Sequence, residues 1–119
     1  VMIAYGYRCA VCGLALRLGL VPVGLEAAHL MWFQAGGPDE VNNGLALCAL
    51  HHRAFDMGAF TVEPGGQILV SADVNGEGAD VLLKHHRVPV VGPTVDADRP
   101  AKSFLEWHRE EVFRGRVRS

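Results

Sequence analysis

Apolar and polar positions divide residues 22–58 into four consecutive elements. Pro22 to Leu30 alternates loosely between the two classes, as in a strand with one buried face. The turn-forming residues of 34–39 predict a loop after it. Asn43-Gly44 is a turn signal, and Leu45 to Leu47 predicts a second strand. Ala49 to Met57 then has helical spacing and ends before Gly58, so strand, loop, strand and helix are expected in order.

The second half of the chain predicts a hairpin and a final helix. Phe60 to Glu63 and Gln67 to Ser71 flank a Pro-Gly-Gly turn and favour paired strands. Residues 73–99 are rich in Gly, Asp and Pro and are expected to be irregular, with one short strand around Val88 to Val91. Asp98-Arg-Pro100 is expected to open the last helix, which Gly115 ends.

Length and composition favour one small domain. The 119 residues fit a single unit, and half of them are apolar. No segment has the long apolar run of a transmembrane helix, and Arg8 and Cys9 interrupt the N-terminal stretch before it could act as a signal peptide. Because the chain begins at Val1 without Met, we expect it to be part of a longer protein, located in the cytoplasm and away from membranes.

The cysteine pattern predicts a structural zinc site. Three cysteines cannot form a closed set of disulfides, whereas a Cys-x-x-Cys pair and a Cys-x-x-His pair supply four ligands in a reducing compartment: Cys9, Cys12, Cys48 and His51. Buried free thiols are the alternative, but they would not need this spacing. A small domain also gains folding free energy from a bound metal.

The adjacent histidines His51 and His52 are expected to point to different faces of the helix. Neighbours on a helix point about 100° apart, so His51 can face the zinc while His52 faces elsewhere. Asp56 follows His52 by four residues and shares its face. With His29 and Asn43 upstream, these residues predict a second, catalytic site.

Three segments together resemble the HNH endonuclease family: Glu26-Ala-Ala-His29, Asn43-Gly-Leu-Ala-Leu, and His51-His52-Arg-Ala-Phe-Asp56-Met-Gly. The steps from His29 to Asn43 and on to His52 match that family's spacing. The resemblance implies an α+β fold: a ββα-metal core with a zinc knuckle, followed here by the hairpin and the C-terminal helix.

The similarity extends toward both ends of the chain. Tyr5-Gly-Tyr-Arg-Cys9 and the terminal Trp107-His108 with Val112-Phe113-Arg-Gly115 resemble the C-terminal nuclease domain of phosphorothioate-dependent Type IV restriction endonucleases. This subfamily implies DNA as the substrate and a separate N-terminal domain that recognises modified DNA. Cleavage of both strands would be served by two active sites, so a homodimer is a further expectation.

The family resemblance also implies residue roles. His29 would be the general base, and a histidine suits this because its ordinary pKa lies near neutral pH. His52 would bind a catalytic divalent cation such as Mg²⁺ or Mn²⁺, with Asp56 as a second ligand or an orienting residue. Asn43 would tie the loop between the strands and hold the His29 ring. The expected products are a 5′-phosphate and a 3′-hydroxyl.

One position departs from the family pattern. Many relatives carry a metal-binding Asp or His directly before the general base, and Ala28 stands there in this chain. Glu26 shares a strand face with Ala28, so Glu26 or Asp56 could supply the missing ligand.

Each residue also has an ordinary structural explanation when taken singly. His29 could be a core histidine, Asn43 a turn residue, and Glu26 part of a surface ion pair. His85 and His86 are expected to be loop features, and Trp107 and His108 packing residues, although His108 could reach the active-site region. The net charge of -2 disfavours strong nonspecific DNA binding. The competing hypothesis is therefore a catalytically weak, zinc-stabilised DNA-binding or interaction module.

Overall fold

A computed structural model describes all of residues 1–119 and contains six short strands and three α-helices. The strands form three separate antiparallel pairs, β1–β2, β3–β4 and β5–β6. The elements are β1 Arg17–Leu18, β2 Val21–Pro22, β3 Leu25–His29, β4 Gly44–Cys48, α1 Ala49–Asp56, β5 Phe60–Val62, β6 Ile68–Val70, α2 Asp80–Leu83 and α3 Lys102–Glu111.

Strands β3 and β4 and helix α1 form the predicted strand-strand-helix unit. The two strands pair with Leu25 opposite Cys48 and His29 opposite Gly44. All five residues of β4 are buried. Helix α1 covers one face of the β3–β4 pair. The edge of β4 that does not pair with β3 is covered by N-terminal residues, where Ala10 N–H donates to Ala46 C=O at 2.7 Å. The buried strand β4 therefore anchors its partner β3, which ends at His29.

The β5–β6 hairpin forms where the sequence predicted it, with Val62 opposite Ile68. Both strands are fully buried, and helix α3 packs against β5. Helix α3 has ten residues, and none of the helices has the length and apolar character needed to cross a membrane.

His108 connects helix α3 to the core and lies away from the His29 region. Its Nδ1 is 2.8 Å from Thr61 Oγ1, and its Nε2 is 3.0 Å from the Phe55 carbonyl oxygen. The ring stacks on Phe55 with 3.7 Å between centroids. Burial lowers the pKa of His108 to about 4, although the hydrogen bond to Phe55 C=O opposes the shift. His108 is therefore a packing residue, as the sequence analysis favoured.

This buried histidine predicts a pH-dependent loss of stability. In the unfolded chain, His108 binds a proton below its ordinary pKa of about 6.5. In the folded state it binds that proton only near pH 4. The free energy of unfolding should therefore fall by about 3 kcal/mol more between pH 7 and 4 than in His108→Gln, which cannot be protonated in this range. Denaturant titrations at a series of pH values measure the difference, and parallel curves for the two proteins would contradict it.

Three local predictions need correction. Helix α3 runs from Lys102 to Glu111, so it begins after an extended Ala101 rather than at Pro100 and ends before Gly115. Within residues 73–99 the chain forms helix α2, and the expected strand at 88–91 is reduced to a single bridge between Gln67 and Pro89. Helix α2 is one turn long and buries only Leu82, so it leaves no helical periodicity for a sequence pattern to reveal.

Candidate functional site

Four metal-type side chains meet beside the start of helix α1. Cys9 and Cys12 lie in an N-terminal knuckle that is closed by Cys9 N–H donating to Leu14 C=O at 3.0 Å. Cys48 ends strand β4 and is the N-cap of helix α1, where its sulfur accepts a hydrogen bond from His51 N–H. His51 follows one turn later and is buried. The knuckle and the strand-helix junction therefore converge although 36 residues separate Cys12 from Cys48.

The distances in this cluster fit one tetrahedral zinc ion. The four ligand atoms all lie within 4.8 Å of one another. His51 Nδ1 is 3.2 Å from Cys48 Sγ and 3.8 Å from Cys9 Sγ, and the sulfurs of Cys12 and Cys48 are 4.0 Å apart. Zinc bonds of about 2.0–2.3 Å at tetrahedral angles separate ligand atoms by about 3.5–3.8 Å. The Cys3His group can therefore hold a metal such as zinc.

The three thiols of the cluster differ in acidity. Burial tends to raise the pKa of Cys9, but hydrogen bonds from the His51 side chain and neighbouring backbone N–H groups bring it down to about 6. Burial raises the pKa of Cys12 to about 12 and also raises that of Cys48. Because zinc binds cysteines as thiolates, metal binding would release protons from the thiols whose pKa burial raises.

His52 points away from the cluster and lies between two carboxylates. Its Nδ1 is 2.6 Å from Glu26 Oε1, and its Nε2 is 3.2 Å from Asp56 Oδ2. Burial raises the pKa of Asp56, while the charges of His52 and His29 oppose that shift. The one-residue step from His51 to His52 therefore turns the second imidazole toward a different, acidic environment.

Ala28, which stands where many HNH relatives carry a metal ligand, is buried in the core. Its side chain is 1% exposed and belongs to the core, so this strand position carries no ligand atom. Glu26, two residues earlier, reaches His52 instead. Glu26 and Asp56 occupy opposite sides of the His52 ring, so they cannot both remain in their present contacts if a cation binds one ring nitrogen.

His29 has a partner that the sequence analysis did not identify. Its Nε2 lies 2.7 Å from Asp39 Oδ1, and 38% of the His29 side chain is exposed. Asp39 stands in a loop rich in turn residues, where an aspartate is expected for its local conformation alone. No spacing rule relates it to His29, so only the path of the loop shows the contact.

Asn43 fastens the loop between strands β3 and β4. It is 1% exposed, and its Oδ1 accepts a hydrogen bond from Met31 N–H at 2.8 Å. Its Nδ2 donates to the carbonyl oxygens of Met31 and Pro38, at 3.0 and 2.9 Å. The expected tie across the loop is present, but Asn43 makes no hydrogen bond with the His29 ring. The ring is held by Asp39 instead.

His29, His52 and Asp56 line one surface cleft of about 350 Å³. Aromatic side chains form one wall of it: Trp32 packs against Trp107 with 5.9 Å between ring centroids, whereas Phe33 is 71% exposed. Trp32 thus braces the loop, and Phe33 is exposed where it can contact a bound molecule. A larger cavity beside Met57 and Arg114 touches none of the three cleft residues.

The remaining histidines stay outside this cleft. His86 accepts a hydrogen bond from Val70 N–H at 3.0 Å through Nδ1, and its Nε2 lies 2.9 Å from Arg118 C=O. His85 packs edge-on against His51 with 5.6 Å between centroids. His86 therefore links strand β6 to the C-terminal segment, and His85 is a neighbour of the cysteine cluster.

Comparisons with known proteins bear on the family and the fold of the chain. Residues 9–63 match a family model described as HNH endonuclease. The fold also matches a solved structure named as the modification-dependent TagI restriction endonuclease, with a TM-score of 0.70 and 23% sequence identity. The match covers 94% of this chain and 35% of that one, so this chain spans about a third of the TagI length. No curated protein sequence matches. These findings confirm the predicted α+β fold and its strand-strand-helix core.

Proposed function

We propose that the HNH endonuclease domain carried by this chain hydrolyses phosphodiester bonds of DNA with the help of a divalent cation. The observation that carries the proposal is the shared cleft. A candidate base, His29, and a candidate cation ligand pair, His52 and Asp56, line the same open depression. An open cleft suits a polymer substrate, which must enter and leave from the side.

His29 acts as the general base. Because its Nε2 faces Asp39, Nδ1 is the ring atom left to accept a proton from water. The water oxygen then bonds to phosphorus as the bond to the 3′ oxygen breaks, and that oxygen takes a proton from solvent. The products are a 5′-phosphate and a 3′-hydroxyl.

His52 and Asp56 hold the cation, and Glu26 orients His52. Asp56 lies next to Nε2 and burial raises its pKa, which a bound cation would reverse. Glu26 contacts the other ring nitrogen, the arrangement by which a carboxylate fixes a metal-binding imidazole. When bound, the cation neutralises charge on the scissile phosphate and the leaving oxygen. This division of roles replaces the ligand that Ala28 does not provide.

The Cys3His group holds zinc as a structural ion. It joins the N-terminal knuckle to the first turn of helix α1, directly beside His52. All four positions are taken by side chains, which is the arrangement of a structural zinc site rather than a catalytic one. Zinc thereby fixes the helix that carries the cation ligands.

The biological context we propose is restriction of modified DNA, with phosphorothioate as the modification. The match to TagI, which is named as modification-dependent and is covered to 35%, supports the restriction of modified DNA. The choice of phosphorothioate rests only on the resemblance of the chain's segments to phosphorothioate-dependent enzymes. Recognition then resides in another domain, and two copies of the nuclease domain cut the two strands. The net charge of -2 fits a module whose DNA affinity comes largely from elsewhere. By itself, the 119-residue chain should cut weakly and without preference for modified DNA.

Nicking of supercoiled plasmid at increasing Mn²⁺ or Mg²⁺ concentrations tests the proposal through His52→Ala. The wild type should show a saturable dependence on added cation. His52→Ala should lose about tenfold to a hundredfold in rate at low cation, because half of the ligand pair is gone. Cation is added to chelator-free buffer, since a chelator would also remove zinc.

Two outcomes separate the hypotheses in this assay, and a control variant accompanies them. Nicking that is equal in the two proteins at every cation concentration would contradict the assignment of His52. Absence of nicking in any cation, with zinc bound and the chain folded, would favour the noncatalytic zinc-stabilised module. Gln34→Ala, which changes another side chain of the cleft, should keep the wild-type cation dependence.

A further inference from the structure

The loop between strands β3 and β4 places a carboxylate on the outer nitrogen of the candidate base. Asp39 Oδ1 and His29 Nε2 are 2.7 Å apart, which is a short hydrogen bond for this pair of atoms. Asp39 is the hydrogen-bond partner of the His29 ring in this structure. About three quarters of the Asp39 side chain is exposed, so burial does not hold the carboxylate in position.

Asn43 anchors the loop on both sides of Asp39. Its side-chain Nδ2 donates to the carbonyl oxygen of Pro38 at 2.9 Å, and its backbone N–H donates to the carbonyl oxygen of Glu40 at 3.0 Å. Asn43 itself is buried directly before strand β4. The side chain of Asp39 is thus exposed, but the residues on either side of it, Pro38 and Glu40, are both hydrogen-bonded to the buried Asn43.

Gly37 allows this loop to close. A Cβ atom at Gly37 would lie 1.9 Å from the Met31 carbonyl oxygen and 3.0 Å from Asn43 Nδ2. Its N–H donates to Trp32 C=O at 3.0 Å, which turns the chain back toward strand β3. Any side chain at position 37 would force the loop away from Met31 and Asn43. Glycine is therefore needed for the close packing that places Asp39.

We infer that Asp39 is a positioning residue for His29, and that Asn43 acts on the base through Asp39 and not by touching the ring. The inference rests on the proposed function of His29. The carboxylate accepts the Nε2 proton, which keeps the ring from rotating and leaves the Nδ1 lone pair directed at water. When Nδ1 takes the proton, the negative charge of Asp39 stabilises the imidazolium ion that forms. This is the relation between carboxylate and histidine that catalytic triads use.

Asp39→Ala should lower the rate of plasmid nicking with little effect on the cation requirement. A base that can rotate out of line costs roughly tenfold to a hundredfold in rate. Asp39→Asn keeps an oxygen acceptor but loses the charge, so it should recover part of the activity. Glu40→Ala is the matched control, because it removes the adjacent exposed carboxylate, which makes no side-chain hydrogen bond or ion pair.

Proton NMR of the zinc-bound, cation-free protein provides a readout independent of activity. A hydrogen-bonded ring proton of His29 should give a resolved downfield signal in the wild type and in Glu40→Ala. Asp39→Ala should lose that signal, because the proton then exchanges with water. Assignment by comparison with His29→Ala identifies the signal.

The outcomes distinguish failure of this inference from failure of the proposed function. If His29→Ala abolishes nicking while Asp39→Ala keeps both the full rate and the ring-proton signal, only the positioning role is wrong. A wild type without the ring-proton signal would also overturn it. If His29→Ala nicks as fast as the wild type, the proposed base itself is wrong. Loss of rate in Asp39→Ala and Glu40→Ala alike would indicate a general charge effect and would contradict the inference.

Discussion

His29→Ala will reduce nicking of supercoiled DNA by about a hundredfold to ten-thousandfold, the usual contribution of a general base. The reason is that no other group in the cleft can take the proton of the attacking water in its place. Of the other titratable side chains there, His52 contacts Glu26 and Asp56, and Asp56 is the second proposed cation ligand. The cation ligands are unchanged in this variant, but the water stays protonated.

The same substitution should leave the fold intact. His29 is at the end of strand β3 with 38% of its side chain exposed, and surface changes of this kind usually alter stability by less than about 0.5 kcal/mol. Thermal unfolding and zinc content should therefore match the wild type. Gln34→Ala, prepared in the same way, controls for a contaminating nuclease and for general disturbance of the cleft. Equal nicking by His29→Ala and the wild type would exclude the proposed catalysis.

Cys48→Ser should cause the largest loss of stability. Structural zinc sites contribute on the order of 10 kcal/mol to folding at neutral pH, which is comparable to the whole stability of a small domain. Removing one sulfur from the Cys3His group should leave the chain largely unfolded at 37 °C. Serine is chosen because it is a good N-cap, so the start of helix α1 keeps its cap while the metal loses a ligand.

Metal analysis and circular dichroism measure this prediction together. The wild type should carry about one zinc per chain, the stoichiometry of a single four-ligand site. A chelator should unfold it, and added zinc should restore the fold. Cys48→Ser should be depleted of zinc and should not recover. A wild type that stays folded after zinc is removed would contradict the structural role of the Cys3His group.

The sequence predicts those parts of the structure that depend on short-range patterns. The strand-strand-helix unit follows from periodicity and turn residues, and helix α1 lies within one residue of its predicted range. The four zinc-type residues could be grouped because two local pairs, Cys9 with Cys12 and Cys48 with His51, each have metal spacing. That the two pairs lie together was inferred from the need of zinc for four ligands, and the structure places all four side chains in one cluster.

Contacts made by loops could not be predicted in this way. Asp39 reaches His29 only because Asn43 and Gly37 hold the intervening loop against the segment that follows strand β3. Nothing in the spacing of His29 and Asp39 encodes that path. The same limit applies to Glu26: its place on a strand suggested a metal ligand, whereas its contact with His52 Nδ1 suits an orienting role.

The short β1–β2 hairpin shows a different limit. Residues 14–23 carry several exposed aliphatic side chains, including Leu18 at 77% and Leu20 at 91% exposure. Apolar residues at such positions do not mark a buried face, so alternation could not identify Arg17–Leu18 and Val21–Pro22 as paired strands. Turn geometry at Gly19 makes the pair, with a φ of +62° that glycine adopts readily.

The most direct test of the central claim is a nicking time course of the purified 119-residue chain with and without added Mn²⁺, followed by analysis of the new DNA ends. The account predicts slow nicking that requires the cation and leaves 5′-phosphate and 3′-hydroxyl ends, which a ligase reseals. Intact plasmid after prolonged incubation of the folded, zinc-bound chain would contradict it, as would nicks that carry 3′-phosphates.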